Sequence, residues 1–442
     1  MHLIKIGGAV FKNIDGFTKL IEIIQYHSKK PLIIVISAFA NATRTLIQAA
    51  KTAELGKLNQ AKNIINKLIN EHKELAQKLI KEPDVFESLT YLFDNSKDRI
   101  SDLLKGISIT NELTPKTLDN IMSYGEFFAL HTIYHFLLEK NFNIHSVDST
   151  SLIISDDNYG NAKPLIEPTS LAIKTKLKPL LKKDNIILTQ GFVAKNKLGE
   201  LTTMGIESSN LTAVLLSNIL GINEITYWTD VEGIRTADPK IINDTLPIKH
   251  LSYKMAYSLS VNGLKLIYPE MIEHTEKNNI KLIFKSAFNP NGDFTVIYNN
   301  TNKLNHHIIL LKTNLIYYQI EFQNDKQKFL LKDIINESPY KKNILSYKFQ
   351  EDLATILSPD NAPLSPYFFN NFKHFSKYSV AQISIFDNDT TTTLNDIIDI
   401  IKTNKKSILD ISINSKSLKI ISLLDNCNLI LSNIHKKLVK KN

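Results

Sequence analysis

The opening segment, residues 1–36, narrows the choice of fold more than any other stretch. His2-Leu3-Ile4-Lys5-Ile6 reads as a strand that stops at Gly7-Gly8, and Ile14 to His27 carries Phe17, Leu20, Ile21, Ile23 and Ile24 at helical spacing. Leu32-Ile33-Ile34-Val35-Ile36 is then an unbroken run of β-branched and apolar residues. Such a run, without alternation, suits a central strand covered on both faces. Strand, glycine turn, helix and buried strand is how an open α/β sheet begins, and the ligands of such sheets gather beyond the carboxyl ends of the strands.

The texture then changes twice. From about Thr45 to Lys140 the spacing is that of long helices, with almost no glycine between Gly56 and Gly106. Strands return at 143–147, 185–189, 224–228 and 281–285, and the apolar helix Thr212 to Leu220 stops at Gly221. The polar, turn-rich stretch Asn299 to Asn305 is the best candidate linker. Beyond it the pattern predicts strands Ile308–Leu311 and Leu315–Phe322 and a helix Phe329–Ile335, then a restart near Ser379 with strand Val380–Phe386 and helix Leu394–Lys405. Two small β/α units of about seventy residues each fit an α+β tandem. A chain of 442 residues is too long for one core. The expected layout is an α/β domain over 1–300 with a helical insertion over about 45–140, followed by modules at 305–376 and 377–442.

Composition excludes several classes. Lys+Arg 53 against Asp+Glu 44 leaves +9, enough to draw anions toward a cleft but dispersed along the chain. Only Lys436, Lys437, Lys440 and Lys441 cluster, which reads as a solvated helix end, so no nucleic-acid partner is expected. A single cysteine, Cys427, rules out an internal disulfide framework and a cysteine zinc site, and points to a reducing compartment. There is no signal-peptide core and no run of membrane-spanning length, so a cytoplasmic protein without membrane attachment is expected.

Two constellations carry chemistry. In Lys5-Ile6-Gly7-Gly8 a strand delivers an ammonium group, and glycines let backbone N–H groups approach a phosphate closely. No GKS or GKT follows, so this is not a P-loop. In Trp228-Thr229-Asp230-Val231-Glu232-Gly233-Ile234-Arg235-Thr236-Ala237-Asp238-Pro239-Lys240 the loop after a strand presents Thr229 and Asp230 where ligands collect. Taken alone, the first is more often an ordinary turn and the second more often a well-formed surface loop.

Taken together and in order, the motifs resemble those of the aspartate kinases of the amino-acid-kinase superfamily. KIGGAVFKN is similar to KFGGASV, and Ile36-Ser37-Ala38 with Thr43 and Leu46 to a VSA…T..L stretch. Ser123-Tyr124-Gly125-Glu126 is similar to a YGE motif, 156–162 to DD.YGNA, TDVEGIRTADPK to TDVDGVYTADPR, 260–269 to SSGAKVLHP, and 279–297 to the stretch from NIP to GT.I. The resemblance covers roughly residues 1–300. It implies an amino-acid-kinase sheet followed by two ACT-like modules. The implied reaction is ATP plus L-aspartate giving ADP and 4-phospho-L-aspartate, with Mg2+ bridging the phosphates and no protein metal ligand assigned. Lys5 would contact the transferring phosphoryl group, Gly7 and Gly8 would cradle it, and Ser37 would lie beside the phosphates. Thr43, Glu126 and Asn210 would line the amino-acid site, Glu126 pairing with the ammonium. Thr229, Asp230, Arg235 and Lys240 would line the nucleotide pocket, and Lys265 would reach the phosphates from the far side.

One segment departs from the pattern. Where the family has TTLGRGGSDYTA or TTLGREGSDYTA, this chain has Thr202-Thr203-Met204-Gly205-Ile206-Glu207-Ser208-Ser209-Asn210-Leu211-Thr212-Ala213. Ile206 stands in place of an arginine and Asn210 in place of an aspartate; Thr150 also replaces an arginine. Losing a bidentate guanidinium–carboxylate contact costs on the order of 2–5 kcal/mol, so aspartate binding requires another cation in that space, Arg235 being one candidate. Three readings stay open: a divergent aspartate kinase, a kinase for a less acidic amino acid, and a nucleotide-binding regulatory pseudo-kinase. The ACT-like modules imply lysine or threonine as effector and a homodimer. Glycine is absent after Gly292, which removes the usual effector loop.

Overall fold

The computed structural model describes residues 1–439 except 28–29, 301–303, 338–340, 342–343, 361–363, 365–371 and 373. The chain forms two compact units, Met1–Ile234 with Lys249–Tyr257 and Lys265–Thr301, and Arg235–Ile248 with Ser258–Leu264 and Asn302–Asn442. The expected cut near residue 300 is therefore crossed by two earlier segments. The reason is core packing: Ala237 and Ile242 are buried among Ile309, Ile383 and Ile434 of the second unit. Of the predicted linker, 301–303 lie outside the described residues, as do Lys440 and Lys441 of the basic tail.

The first unit is built on strands β1 (His2–Ile6), β2 (Leu32–Ile36), β3 (Ile144–Ser146), β4 (Ile154–Ser155), β5 (Ile186–Gln190), β6 (Val193–Asn196), β7 (Leu201–Thr203), β8 (Glu224–Thr229), β9 (His250–Ser252), β10 (Lys281–Ser286) and β11 (Phe294–Tyr298). Eight of them make one sheet in the order β3-β5-β2-β1-β8-β10-β11-β9, with every pairing parallel except β10 with β11. A small sheet of β4, β6 and β7 stands beside it. All five residues of β2 are buried, as its unbroken apolar run predicts.

Helix α1 (Asp15–Tyr26) answers the helix expected over Ile14 to His27, α2 (Ala42–Glu54), α3 (Leu58–Leu79), α4 (Pro83–Thr110) and α5 (Pro115–Glu139) fill the stretch expected over about 45–140, and all five share one core with β1 and β2. After α6 (Ile166–Ala172), helix α7 (Ser209–Leu220) is buried over Ser209–Ser217 and stops at Gly221, whose φ of +69° is the left-handed cap that glycine takes most readily. Helices α8 (Tyr253–Val261) and α9 (Pro269–Lys277) follow.

The second unit repeats strand, helix, strand, strand. The first copy is β12 (Ile308–Glu321), α10 (Asp325–Glu337), β13 (Ser346–Phe349) and β14 (Leu353–Pro359). The second is β15 (Phe375–Phe386), α11 (Thr390–Thr403), β16 (Ile408–Ile413) and β17 (Ser417–Leu423), with α12 (Cys427–Leu438) closing the chain. Both copies share one antiparallel sheet in the order β13-β14-β12-β15-β17-β16, so β12 and β15 pair at its centre. This is the α+β architecture expected of the C-terminal third. The two strands predicted at 308–311 and 315–322 are one. The register shifts by one residue between Lys312 and Leu315, where Asn314 takes φ +61°, a bulge that keeps the chain in the sheet instead of turning. No helix among the described residues is long and apolar enough to cross a membrane.

Candidate active site

Parallel pairing sets the carboxyl ends of three strands side by side. Ile6 of β1 is level with Ile36 of β2 and with Trp228 of β8. Gly7-Gly8, Ser37-Ala38 and Thr229-Asp230 therefore emerge from one edge of the sheet, and the N–H of Gly7 donates to the carbonyl of Trp228 at 2.9 Å. Gly7 is extended, at φ −72°, and needs no special conformation. Gly8 is glycine for want of space: a Cβ there would lie 1.9 Å from the Ala38 carbonyl oxygen. Gly8 opens a short 3₁₀ helix (Gly8–Lys12), so its N–H has no partner within that helix. Gly8→Ala is expected to destabilise the fold by at least ~2 kcal/mol, read as a lower urea midpoint, because backbone stands in the way. An unchanged midpoint would show that the two loops do not meet as described.

Ala38 also joins this edge to α5. Its N–H donates to Oε1 of Glu126 at 3.2 Å, whereas Oε2 of Glu126 is buried with no hydrogen-bond partner among the described residues. Glu126 is 3% exposed, and burial pushes its carboxyl up to about 8, against the opposing pull of the Ala38 N–H and Lys5. Lys5 is half-buried; desolvation lowers it to about 8, with Glu207 and Glu126 acting the other way. Thr43 lies in the first turn of α2 but does not cap it, since the cap position is Asn41 at φ +68°. Its Oγ1 would be 3.5 Å from a Cβ on Gly125, and Ala38 Cβ would be 3.0 Å away, so Gly125 lets α5 press against this loop.

Glu126 has a consequence for stability. The folded chain holds a proton there that the unfolded chain releases near its ordinary 4.5. Stability from this group is thus fully present at low pH and is lost as pH rises from about 4.5 to 8. Each tenfold in proton affinity is worth about 1.4 kcal/mol, so the loss is on the order of a few kcal/mol. Glu126→Gln should keep the Ala38 bond and melt progressively higher than the parent between pH 5 and 8; parallel melting curves would refute the assignment.

The loop between β7 and α7 closes another side. Asp119 of α5, buried, accepts from the N–H and Oγ1 of Thr203 at 2.9 and 2.6 Å and from the Gly160 N–H at 2.9 Å, pinning the 202–203 and 156–162 segments together. Ile206 is 62% exposed. Glu207 follows at φ +73°; much of the residue meets solvent, but its carboxyl is partly desolvated, which raises it, while the charges of Lys5, Lys265 and Arg44 act to lower it. Asn210 donates from Nδ2 to the Leu266 carbonyl at 3.1 Å, and its Oδ1 is buried without a partner among the described residues.

The remaining residues divide. Thr229 folds its hydroxyl back on Val231 at 2.9 Å, and Asp230 is exposed just beyond it. Gly233, at φ +68°, lies where a Cβ would be 2.7 Å from the Thr295 backbone nitrogen. Lys265 is exposed in the first unit. Arg235 and Lys240, expected beside Thr229 and Asp230, belong to the second unit. Arg235 bonds Thr245 through Nε at 2.8 Å and Nη2 at 2.6 Å, and Lys240 is exposed in a turn stabilised by its N–H to Asp238. The guanidinium of Arg235 is thus committed to holding its own loop. Arg44, Asp119 and Glu207 were not singled out from sequence. Only Glu207 carried a signal there, in the TTLGREGSD form of the motif.

The sequence matches the model of the amino acid kinase family over residues 1–286. The chain belongs to the amino acid kinase family. Among relatives of this amino acid kinase, aspartokinase 1 (chloroplastic) of Arabidopsis thaliana is 28% identical over 300 residues, covering 67% of this chain and 51% of that protein. Lysine-sensitive aspartokinase 3 of Escherichia coli is 25% identical over 306 residues, covering 67% and 64%. The chain thus spans about half the length of the Arabidopsis relative. In fold, the amino acid kinase is similar to E. coli aspartokinase III in complex with aspartate and ADP, at a TM-score of 0.82 and 18% identity with all of both chains covered. It is also similar to the Clostridium acetobutylicum aspartate kinase, at 0.67 and 18% with 99% and 100% covered.

Proposed function

We propose that this chain is an ATP-dependent kinase that phosphorylates the side-chain carboxylate of L-aspartate, releasing ADP. The observation that carries the reading is the shared level of Ile6, Ile36 and Trp228, which brings the glycine turn, the Ser37 loop and the Thr229-Asp230 loop to one edge with Lys5 and Glu126 beside them. The resemblance in fold to a protein crystallised with aspartate and ADP supports it.

In this reading the ATP phosphates lie over Gly7, Gly8 and Ser37, with Thr229, Asp230 and Lys265 around the nucleotide. A carboxylate oxygen of the acceptor attacks the γ-phosphorus, forming one P–O bond as the bond to the β-phosphate oxygen breaks. Lys5 stabilises the charge on the transferring group, where positioning and electrostatics supply most of the rate. Glu126 receives the ammonium of the amino acid: its partnerless Oε2 is an acceptor awaiting a donor, and a cation there favours the ionised form, so amino-acid binding releases a proton. Thr43 flanks that position. Mg2+ would enter with the nucleotide. Such an ion, shared with the nucleotide, is held chiefly by phosphates and water.

The α-carboxylate of the acceptor needs a cation, and neither Ile206 nor Arg235 supplies one. Arg44 does. It is exposed one residue beyond Thr43, its charge reaches Glu207 beside Ile206, and no hydrogen bond or ion pair from the described residues holds it. Asn210 retains a role in bonding the Leu266 carbonyl, which an aspartate in its place could not do. Regulation by lysine or threonine, a homodimer, and the assignment of 305–376 and 377–442 as ACT-like modules belong to the same proposal; E. coli aspartokinase III in its T-state, with lysine and aspartate, has a similar fold at TM-score 0.72.

The test is ADP release coupled to a visible reaction, with L-aspartate against a panel of other amino acids. Turnover with aspartate above all others is expected. Turnover with a less acidic amino acid, or nucleotide binding without turnover, would overturn the reading.

A further inference from the structure

The sheet of the second unit has two unlike faces. Ile309, Ile383, Ile385, Leu418 and Ile420 point toward α11 and α12 and are buried with Ile397, Ile430 and Ile434. Their neighbours in sequence point the other way. On that face Lys312 is paired with Gln382 and Gln382 with Ile421, while Lys419 is paired with Ser384 one row along. A cavity of about 490 Å3 opens over these rows. Its polar lining includes Lys312, Tyr317, Lys348, Gln382, Asp410 and Lys419.

The charges do not balance. Lys348 is answered by Asp410, at 2.6 Å to each carboxylate oxygen. Lys312 and Lys419 are both half-buried, and neither has an ion pair or side-chain hydrogen bond among the described residues. Burial lowers both, and the charge of Lys419 lowers Lys312 further. Gln382 donates to Ser384 Oγ at 2.8 Å and to Asn262 Oδ1 at 3.3 Å, so its amide is held still between the two lysines. Two partly desolvated ammonium groups converge on one cavity whose acid, Asp410, already answers Lys348, and they repel each other until an anion enters.

We infer that this cavity is a binding site for a small dianion, a phosphate group or a dicarboxylate, held between Lys312 and Lys419 on the face of the sheet turned away from α11 and α12. The site requires no glycine loop, which the second unit lacks among its strands and helices after Gly292. It stands independently of the proposed activity.

The experiment is a thermal melt of the full chain and of Lys312→Met/Lys419→Met, each with inorganic phosphate, with succinate, and with chloride at matched ionic strength. Methionine keeps the aliphatic stems and removes the charges. Without anion the double variant is expected to melt no lower than the parent, since repulsion is removed. Phosphate or succinate should raise the parent's melting temperature above the chloride control, and calorimetric affinity should fall at least tenfold in the double variant. A response to phosphate alone assigns a phosphate group, to succinate alone a dicarboxylate, and to both a site read by charge. No response beyond chloride, or equal responses in both proteins, would overturn the site. Should the double variant fail to fold, Lys419→Met alone is titrated calorimetrically against the same criteria.

Discussion

Lys5→Met is expected to lower kcat by at least about 10²–10³-fold while leaving nucleotide affinity within a few-fold of the parent. Removing one preorganised charge from the transferring group has an effect of this size, because that charge acts where negative charge develops. In the proposed reading the nucleotide is held by Gly7, Gly8, Ser37 and the 229–230 loop as well, so its affinity is expected to survive. The fold should survive too. Lys5 is half-buried and its ammonium is held at about 8 by desolvation, so at neutral pH the folded chain carries a penalty that methionine removes. For this group alone, stability improves as pH rises from about 8 to its ordinary 10.5, where the folded chain has released a proton that the unfolded chain still holds. Lys5→Arg should recover little activity, since a planar fork does not reproduce a compact ammonium. A kcat within threefold of the parent in Lys5→Met would remove Lys5 from the chemistry.

Arg44→Ala is expected to raise the KM for aspartate by about 30-fold or more, with a smaller change in kcat. An acceptor carboxylate left without its cation loses on the order of 2–5 kcal/mol. The decisive arm is the second variant: Ile206→Arg in the Arg44→Ala background should restore much of the loss, because position 206 borders Glu207, at whose carboxyl the charge of Arg44 is felt. Ile206 is largely exposed, so an arginine there displaces nothing from the core. Asn210→Asp should not help, since it sets a carboxylate against the Leu266 carbonyl that Asn210 now bonds. An unchanged KM in Arg44→Ala would leave the carboxylate partner to be sought elsewhere. A raised KM without rescue by Ile206→Arg would place Arg44 at a different part of the acceptor.

Much of this site was legible in the residues. The run Leu32–Ile36, the glycines after β1 and the loop after β8 announce a parallel sheet with its working edge at the strand ends, because burial on both faces and tight turns leave local marks in sequence. Lys5, Gly8 and Glu126 do lie together. What stayed hidden is what tertiary packing assembles. Arg44, Glu207 and Lys265 sit on three separate segments, and nothing in their spacing announces that their charges meet. Arg235 looked available because a sequence does not show that Thr245 occupies its guanidinium. The lysine cavity is written on alternate positions of several strands, so no contiguous motif records it.

The allegiance of residues 235–248 to the second unit bears on how this protein can be divided. Ala237 and Ile242 are interior residues of a core whose other members come mostly from beyond residue 300. A recombinant fragment ended at that point would carry those side chains bare, with greasy surface where the parent has none. Its weak expression or clumping would then say nothing about the chemistry of the strand ends. Fragment work on this chain has to keep both units, or replace Ala237 and Ile242 with polar residues before the tail is removed.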